Sequence, residues 1–134
     1  MIRIQEEDFS VDEVTAHLQA EGVGAVVTFT GSVRGKSKDG KEVVCVEWDV
    51  YIPMAKKEMQ MIRDDAIQRF QLKNAAIVHR YGRQKPGERL VLIVAAATHR
   101  KEAFDACSFI MDEIKKKAPL WKKEVYPDGS SRWI

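Results

Sequence analysis

The spacing of apolar residues along the chain predicts three amphipathic helices. A capping box that begins at Ser10 precedes apolar positions at three- and four-residue steps, which predicts a helix over about 11–20. A second helix should begin at Pro53, since proline suits the first helical turn. The third should begin at about 100 and end at Pro119, because proline cannot continue a helix. The apolar face of the second helix is predicted to contain Ala55, Met59, Ile62, Ala66 and Phe70.

Two β-branched, apolar segments, residues 25–33 and 42–51, are predicted to be strands. The polar stretch between them contains the turn pair Asp39-Gly40. We therefore expect the two strands to pair with each other as a hairpin with a long, basic tip.

The remaining strand signals complete the predicted fold. The segments 75–82 and 89–98 are joined by a Pro-Gly turn, so a second hairpin is expected. The C-terminal tail should form a short third hairpin around Asp128-Gly129. The order of these elements predicts an α+β fold, a single domain over 1–134 in which three helices pack on a largely antiparallel sheet with hairpins.

Charge and cysteine content narrow the classes of function. The 22 Lys and Arg residues nearly balance the 20 Asp and Glu residues, so no overall field attracts nucleic acid or a membrane, and any anion site must be local. Cys45 and Cys107 lie in apolar contexts without metal-binding spacing, which predicts free thiols, no metal site and a reducing compartment. The longest apolar run, 90–97, is far shorter than the ~18 residues of a membrane span. Since the first ten residues also lack the apolar run of a signal peptide, we expect a cytoplasmic protein.

The stretch GSVRGKS at 31–37 has some features of a phosphate-binding P-loop. It has three residues between its glycines where a P-loop has four, and a turn and a strand follow it where a P-loop has a helix. A nucleotide-binding P-loop is therefore excluded. The guanidinium of Arg34 and the surrounding backbone amides can still hold a phosphate, and the alternative is a solvated hairpin tip.

A second candidate anion site lies at Thr98-His99-Arg100, where a long apolar strand gives way to a helix. Amides at a helix N-terminus favour an anion, and His99 and Arg100 would add donors. The alternative is that Thr98 caps the helix while the other two side chains face water.

The stretch EIKKKAPLWKKE at 113–124 collects five lysines around one proline. Cations in a last helical turn complement the helix dipole, which is an ordinary structural explanation. Because Pro119 turns the chain between helix and strand, however, Lys115 and Lys122 can reach one pocket. Crowding there would lower a lysine pKa, and a neutral amine acts as nucleophile or base whereas a charged one stabilises an oxyanion. Alternation along the strand predicts Leu120, Lys122 and Glu124 on one face and Trp121, Lys123 and Val125 on the other.

Several blocks together resemble one family, the large, catalytic subunits of molybdopterin synthase (the MoaE family), over nearly the whole chain. The most specific block is Lys-x-x-Ala-Pro-x-Trp-Lys at 115–122. The chain departs from the family pattern mildly at Trp48, Asp49 and Leu120, where Tyr, Glu and Phe are usual. The matching blocks are FTGSVRG (29–35), VEWDVYIPMA (46–55), HRYGRQKPGE (79–88), THRKEAFDA (98–106) and MDEIKKKAPLWKKE (111–124), with Gly129 and Trp133 after them.

The resemblance implies an α/β-hammerhead-like fold and an enzyme, a sulfurtransferase of molybdenum-cofactor biosynthesis. It would transfer sulfur from the C-terminal Gly-Gly thiocarboxylate of a small ubiquitin-like subunit to cyclic pyranopterin monophosphate, forming the dithiolene of molybdopterin. It would be a homodimer at the centre of a heterotetramer, with no cofactor or metal of its own.

The resemblance also implies roles for individual residues. Lys115 aligns with the central catalytic residue, and Lys122 with a second lysine needed for activity. Arg34, His99 and Arg100 align with residues of the anionic substrate pocket, to which His99 and Arg100 would come from the second protomer of the dimer. Further positions near that pocket align with Phe29, Met111 and Glu124.

Two other classes of function compete with this interpretation. One is a non-catalytic anion- or RNA-binding module that uses Trp121 or Trp133 as a stacking platform, against which the near-neutral charge argues. The other is a partner-docking relative that has lost turnover, against which the presence of both lysines and Arg34 argues.

Overall fold

The computed structural model describes residues 1–134 and has three helices and two mostly antiparallel sheets, which confirms the predicted fold class. None of the three helices combines the length and the apolar content that a membrane span requires. In chain order the elements are β1 (Ile2–Gln5), α1 (Val11–His17), β2 (Ala25–Ser32), β3 (Cys45–Val50), α2 (Ile52–Phe70), β4 (Asn74–Arg80), β5 (Gly82–Gln84), β6 (Arg89–Ala97), α3 (Arg100–Lys117), β7 (Leu120–Val125) and β8 (Ser131–Trp133).

The first sheet has the strand order β1-β4-β6-β2, and helices cover both of its faces. Along β4, Ala75 and Ile77 pack towards α2 and α3, whereas Ala76 and Val78 pack towards α1. Because both faces are covered, β4 and β6 are almost continuously apolar. The only parallel pair in this sheet joins β1 to β4.

The helices agree with the apolar spacing. Ser10 caps α1 by accepting a hydrogen bond from the amide of Glu13 at 3.1 Å, although α1 ends at His17, three residues earlier than predicted. Along α2, four of the five predicted core positions are buried, and Phe70 is partly buried against the same cluster. α3 ends at Lys117, two residues before Pro119.

The hairpin predicted between residues 25–33 and 42–51 is wrong. β2 pairs with β6 in the first sheet, whereas β3 pairs with β5 and β7 in the second, and only a bridge between Lys36 and Glu42 remains at the tip. A turn signal in the sequence indicates that the chain reverses its direction locally, but it does not determine which strands pair with each other. β2 pairs with the long apolar β6, where Ala25, Val26 and Val27 pack partly buried against the core, whereas β3 carries Glu47 on the outward face of a more polar sheet.

The second sheet, in the order β5-β3-β7-β8, brings the end of α3 towards the first sheet. After α3, the chain turns at Ala118 and Pro119 and continues directly into β7. β7 pairs antiparallel with both β3 and β8, so the predicted hairpin around Asp128-Gly129 is confirmed, as is the hairpin of β4 with β6. The turn after α3 therefore lies between the two sheets.

Candidate active site

A cavity of about 350 Å³ opens between the two sheets and the end of α3. Its wall is mostly apolar, with the aromatic rings of Phe29 from β2 and Trp48 from β3, and with Met111 from α3. The charged side chains in the wall are Lys115 and Lys122. A cavity of this size and character suits a small organic molecule, with the lysines as its polar contacts.

The predicted meeting of the two lysines is confirmed. Lys115 lies in the last turn of α3, and Lys122 is the third residue of β7, opposite Trp48 of β3. The alternation along β7 is also confirmed. Leu120 and Lys122 line the cavity, whereas the Trp121 side chain is 53% exposed.

The environment of Lys122 disfavours its charged form. Burial lowers the pKa of Lys122, and the neighbouring charges of Arg34, Lys38 and Lys115 lower it further, while Glu124 opposes them. The Lys122 Nζ atom also lies 6.0 Å from the centroid of the Trp48 ring, within cation–π range. Lys122 is therefore a partly desolvated amine next to an aromatic face.

A smaller, polar pocket of about 70 Å³ shares Lys122 with the main cavity. Arg34 and Lys36 line it, and neither forms an ion pair within the chain. Glu124 is only 7% exposed and accepts a hydrogen bond from the Tyr126 hydroxyl at 2.9 Å. The free cations at this pocket can hold a phosphate, while Glu124 is fixed in its wall.

His99 and Arg100 do not join this site within one chain. They lie at the N-terminus of α3 and line a shallow depression with Gly24 and Ala25. Fifteen helical residues separate Arg100 from Lys115, about 22 Å along the axis. The N-cap of α3 is His99, without a side-chain hydrogen bond, so the alternative in which Thr98 caps the helix is wrong.

Sequence reasoning assigned no role to His79, which also lines the cavity. This residue of β4 is 2% exposed, and its ring packs edge-on against Trp48 with centroids 5.1 Å apart. The Nδ1 atom lies 2.7 Å from the carbonyl oxygen of Arg80, and burial lowers the pKa of His79 to about 4. Its position on the same face of β4 as Ile77 was readable from alternation, but only the tertiary fold brings it to the cavity.

Comparison with known proteins gives consistent matches over nearly the full length. The model of the MoaE protein family matches residues 4–117. The chain is 42% identical to the molybdopterin synthase catalytic subunit of Pyrococcus abyssi, over 96% of this chain and 85% of that one. The crystal structure of molybdopterin synthase from Staphylococcus aureus superposes with a TM-score of 0.92 at 34% identity, covering 98% and 95% of the two chains. The complex of subunits 1 and 2 of molybdopterin-converting factor from Helicobacter pylori shares the fold, with a TM-score of 0.77 at 21% identity over 99% of this chain and 88% of that one.

Proposed function

This chain belongs to the MoaE family, the catalytic subunits of molybdopterin synthase, and on that premise we propose that it is a sulfurtransferase. It takes sulfur from the C-terminal thiocarboxylate of a small ubiquitin-like subunit and transfers it to cyclic pyranopterin monophosphate, forming the dithiolene of molybdopterin. The observation that carries the proposal is the pair Lys115 and Lys122 in one apolar cavity beside a cationic pocket. The unpaired Cys45 and Cys107 agree with a cytoplasmic setting for this reaction.

The two adjoining pockets match the two halves of the substrate. The flat pterin ring system suits the apolar cavity, where Phe29 and Met111 offer contact surface. The cyclic phosphate suits the smaller pocket, where Arg34 has free guanidinium donors and Lys122 borders both spaces. Glu124, which raises the pKa of Lys122, helps to keep that amine charged for the phosphate.

Lys115 has two possible roles, which differ in whether a bond forms. As a neutral amine it attacks the thiocarboxylate carbonyl carbon, which forms an amide to the tail and releases the sulfur as hydrosulfide. As an ammonium group it stabilises the oxyanion on that carbon while the sulfur attacks the pterin. A covalent adduct at Lys115 detected by mass spectrometry would support the first role, and full activity of Lys115→Arg would exclude it.

The partner subunit's tail has to reach Lys115 as an extended chain. Ala118 and Leu120, at the turn after α3, line the cavity together with the two lysines, which give this part of the wall a positive character. A terminal thiocarboxylate is an anion, so charge favours its approach to the two lysines.

We further propose a homodimer that forms through the free edge of β2. This strand pairs only with β6, and Phe29 on it is 40% exposed. Phe104 is 60% exposed and lies two turns before Met111 on the same side of α3, a helix that packs against β2. An unpaired edge flanked by exposed aromatic rings is a surface that a second copy can cover by two-fold strand pairing.

This pairing would explain why His99 and Arg100 lie far from Lys115. Antiparallel pairing centred between Thr28 and Phe29 sets Ala25 of one protomer opposite Ser32 of the other. Seven strand residues span about 23 Å, close to the ~22 Å between Arg100 and Lys115 along α3. His99 and Arg100 of one protomer would then complete the phosphate pocket of its partner.

The primary experiment is a reconstitution with a thiocarboxylated small subunit and cyclic pyranopterin monophosphate, assayed for the dithiolene product. The parent chain should give product, Lys115→Ala should give none, and the exposed neighbour Lys116→Ala is the matched control. Absence of product with the parent chain, despite tight binding of the small subunit, would leave a docking protein and refute the catalytic function.

The contribution from the second protomer has its own test. Lys115→Ala and Arg100→Ala homodimers should each be inactive, but dimers mixed from the two variants contain one intact composite site. With random exchange, about a quarter of all sites should be restored, since half of the dimers are mixed and each has one working site. Recovery of no activity would show that Arg100 acts, if at all, within its own chain.

A further inference from the structure

The wall of the main cavity contains a polar side chain that no step above uses. His79 is 2% exposed, and it is the only histidine in the wall. Buried polar groups normally have hydrogen-bond partners, so each nitrogen of this ring needs to be accounted for.

The hydrogen bond to the backbone fixes the tautomer of His79. A carbonyl oxygen can only accept, so Nδ1, 2.7 Å from the Arg80 oxygen, must carry the proton and donate. Burial keeps the ring neutral at physiological pH. The Nε2 atom therefore has a free lone pair and acts only as an acceptor.

The Nε2 atom finds no donor within the chain. Its only aromatic neighbour, Trp48, packs against the ring edge-on without a hydrogen bond, and the Trp48 Nε1 atom is itself buried and unpaired. The protein does not enclose Nε2 completely, so this atom contributes to the 2% of His79 that is exposed. His79 lines the cavity, and because Nδ1 is bonded to the backbone, Nε2 is the ring nitrogen left to contact a molecule bound there.

We infer that Nε2 of His79 accepts a hydrogen bond from an N–H group of the heterocycle bound in the cavity. This inference rests on the proposed function, because it takes the pterin as the occupant. An apolar pocket with one fixed acceptor discriminates strongly against ring systems without a matching donor, since their binding leaves the acceptor buried and unpaired. His79 is then a specificity-determining residue that contacts the substrate, separate from the lysines that act on the sulfur.

Binding of cyclic pyranopterin monophosphate to the parent chain, His79→Gln and His79→Leu tests the inference by calorimetry. Leucine removes the acceptor at similar volume, whereas the Gln side-chain oxygen restores one near the Nε2 position. His79→Leu should bind about tenfold more weakly or worse and His79→Gln within about threefold of the parent, as expected for one buried hydrogen bond. In turnover the loss should appear in KM with kcat retained, since the contact exists before and during reaction. The exposed His17→Gln is the matched control and should bind as the parent does.

A second measurement avoids dependence on how well the variants fold. The imidazole ¹⁵N resonance of Nε2 in the intact protein should move on ligand binding, because an acceptor nitrogen gains a hydrogen bond. Equal affinity of His79→Leu and the parent, or an Nε2 resonance that does not move with bound ligand, would overturn the inference and leave the proposed function standing. Failure of the parent chain itself to bind the pterin would refute the proposed function, and this inference with it.

Discussion

Gly31 lies where β2 meets the cavity, and replacing it with alanine tests how tightly this wall is packed. A Cβ atom at position 31 would lie 2.7 Å from Val91 Cγ1 and 3.5 Å from Phe29 Cε1. Val91 is 4% exposed and sits in the middle of the first sheet's packing, so its branched side chain has little room to rotate. Overpacking of this kind costs about 1–3 kcal/mol.

The expected loss can be separated from the general effect of replacing glycine. Alanine restricts the unfolded chain and so stabilises by about 0.4–1 kcal/mol where it fits. Gly35→Ala should have that effect alone, because its Cβ would meet only Pro86, at 3.7 Å. The free energy of unfolding of Gly31→Ala should therefore be about 1–3 kcal/mol below that of Gly35→Ala, which corresponds to roughly 3–10 °C in Tm.

Calorimetric melting of both variants and of the parent chain measures this difference. The same shift of Val91 should also raise KM for the proposed pterin substrate in Gly31→Ala, since Val91 and Phe29 both line the cavity. Equal Tm values for the two alanine variants would refute the steric argument and indicate a wall that relaxes freely.

Three further outcomes follow from the same structure. Burial lowers the pKa of Lys122 from 10.5, which means that the charged amine is less stable in the folded protein than in the unfolded chain. Removing the charge should therefore stabilise the fold, and Lys122→Met should unfold at a higher urea concentration than the parent at pH 7. That gain should shrink as pH rises from the lowered pKa of the folded state towards 10.5 and vanish above it, and a gain that stays constant would contradict it. Because the pKa of His79 falls from 6.5 to about 4, stability should decrease as pH falls through this window, by about 3 kcal/mol. His79→Gln should lack this decrease in denaturant titrations at pH 7 and pH 4. Phe104→Glu should sediment as a monomer with an unchanged circular dichroism spectrum. The control variant Phe104→Leu should remain dimeric. A dimeric Phe104→Glu would exclude the β2 edge as the interface.

The parts of the fold that local sequence determines were predictable. The capping box at Ser10, the apolar stripe of the second helix and the turns at Pro86-Gly87 and Asp128-Gly129 all act within a few residues. Partner choice between strands is different, because burial of whole faces decides it. The Asp39-Gly40 turn exists, with Gly40 at φ +84°, yet its flanking strands belong to different sheets.

The candidate site also contains residues that local sequence brings together and residues that only the tertiary fold brings together. Lys115 and Lys122 are separated by one turn of chain, so the sequence was sufficient to bring them together. His79 reaches the cavity through the pairing of β4 with β6 and the packing of Trp48 over it, and no short-range pattern contains that information. Within one protomer, His99 lies about the length of a helix from the lysines, and a single chain offers no contact that would join them.

The cavity lies on a seam, because the two sheets share no hydrogen-bonded strand pair. Side-chain packing and the connecting segments hold them together, and the cavity wall takes Phe29 and His79 from one side of the seam and Trp48 and Lys122 from the other. A ligand in this cavity contacts both sheets, and its contacts connect one sheet to the other. A bound ligand should therefore reduce the motion of the two sheets relative to each other more than the motion within either sheet. This effect should last until the ligand dissociates.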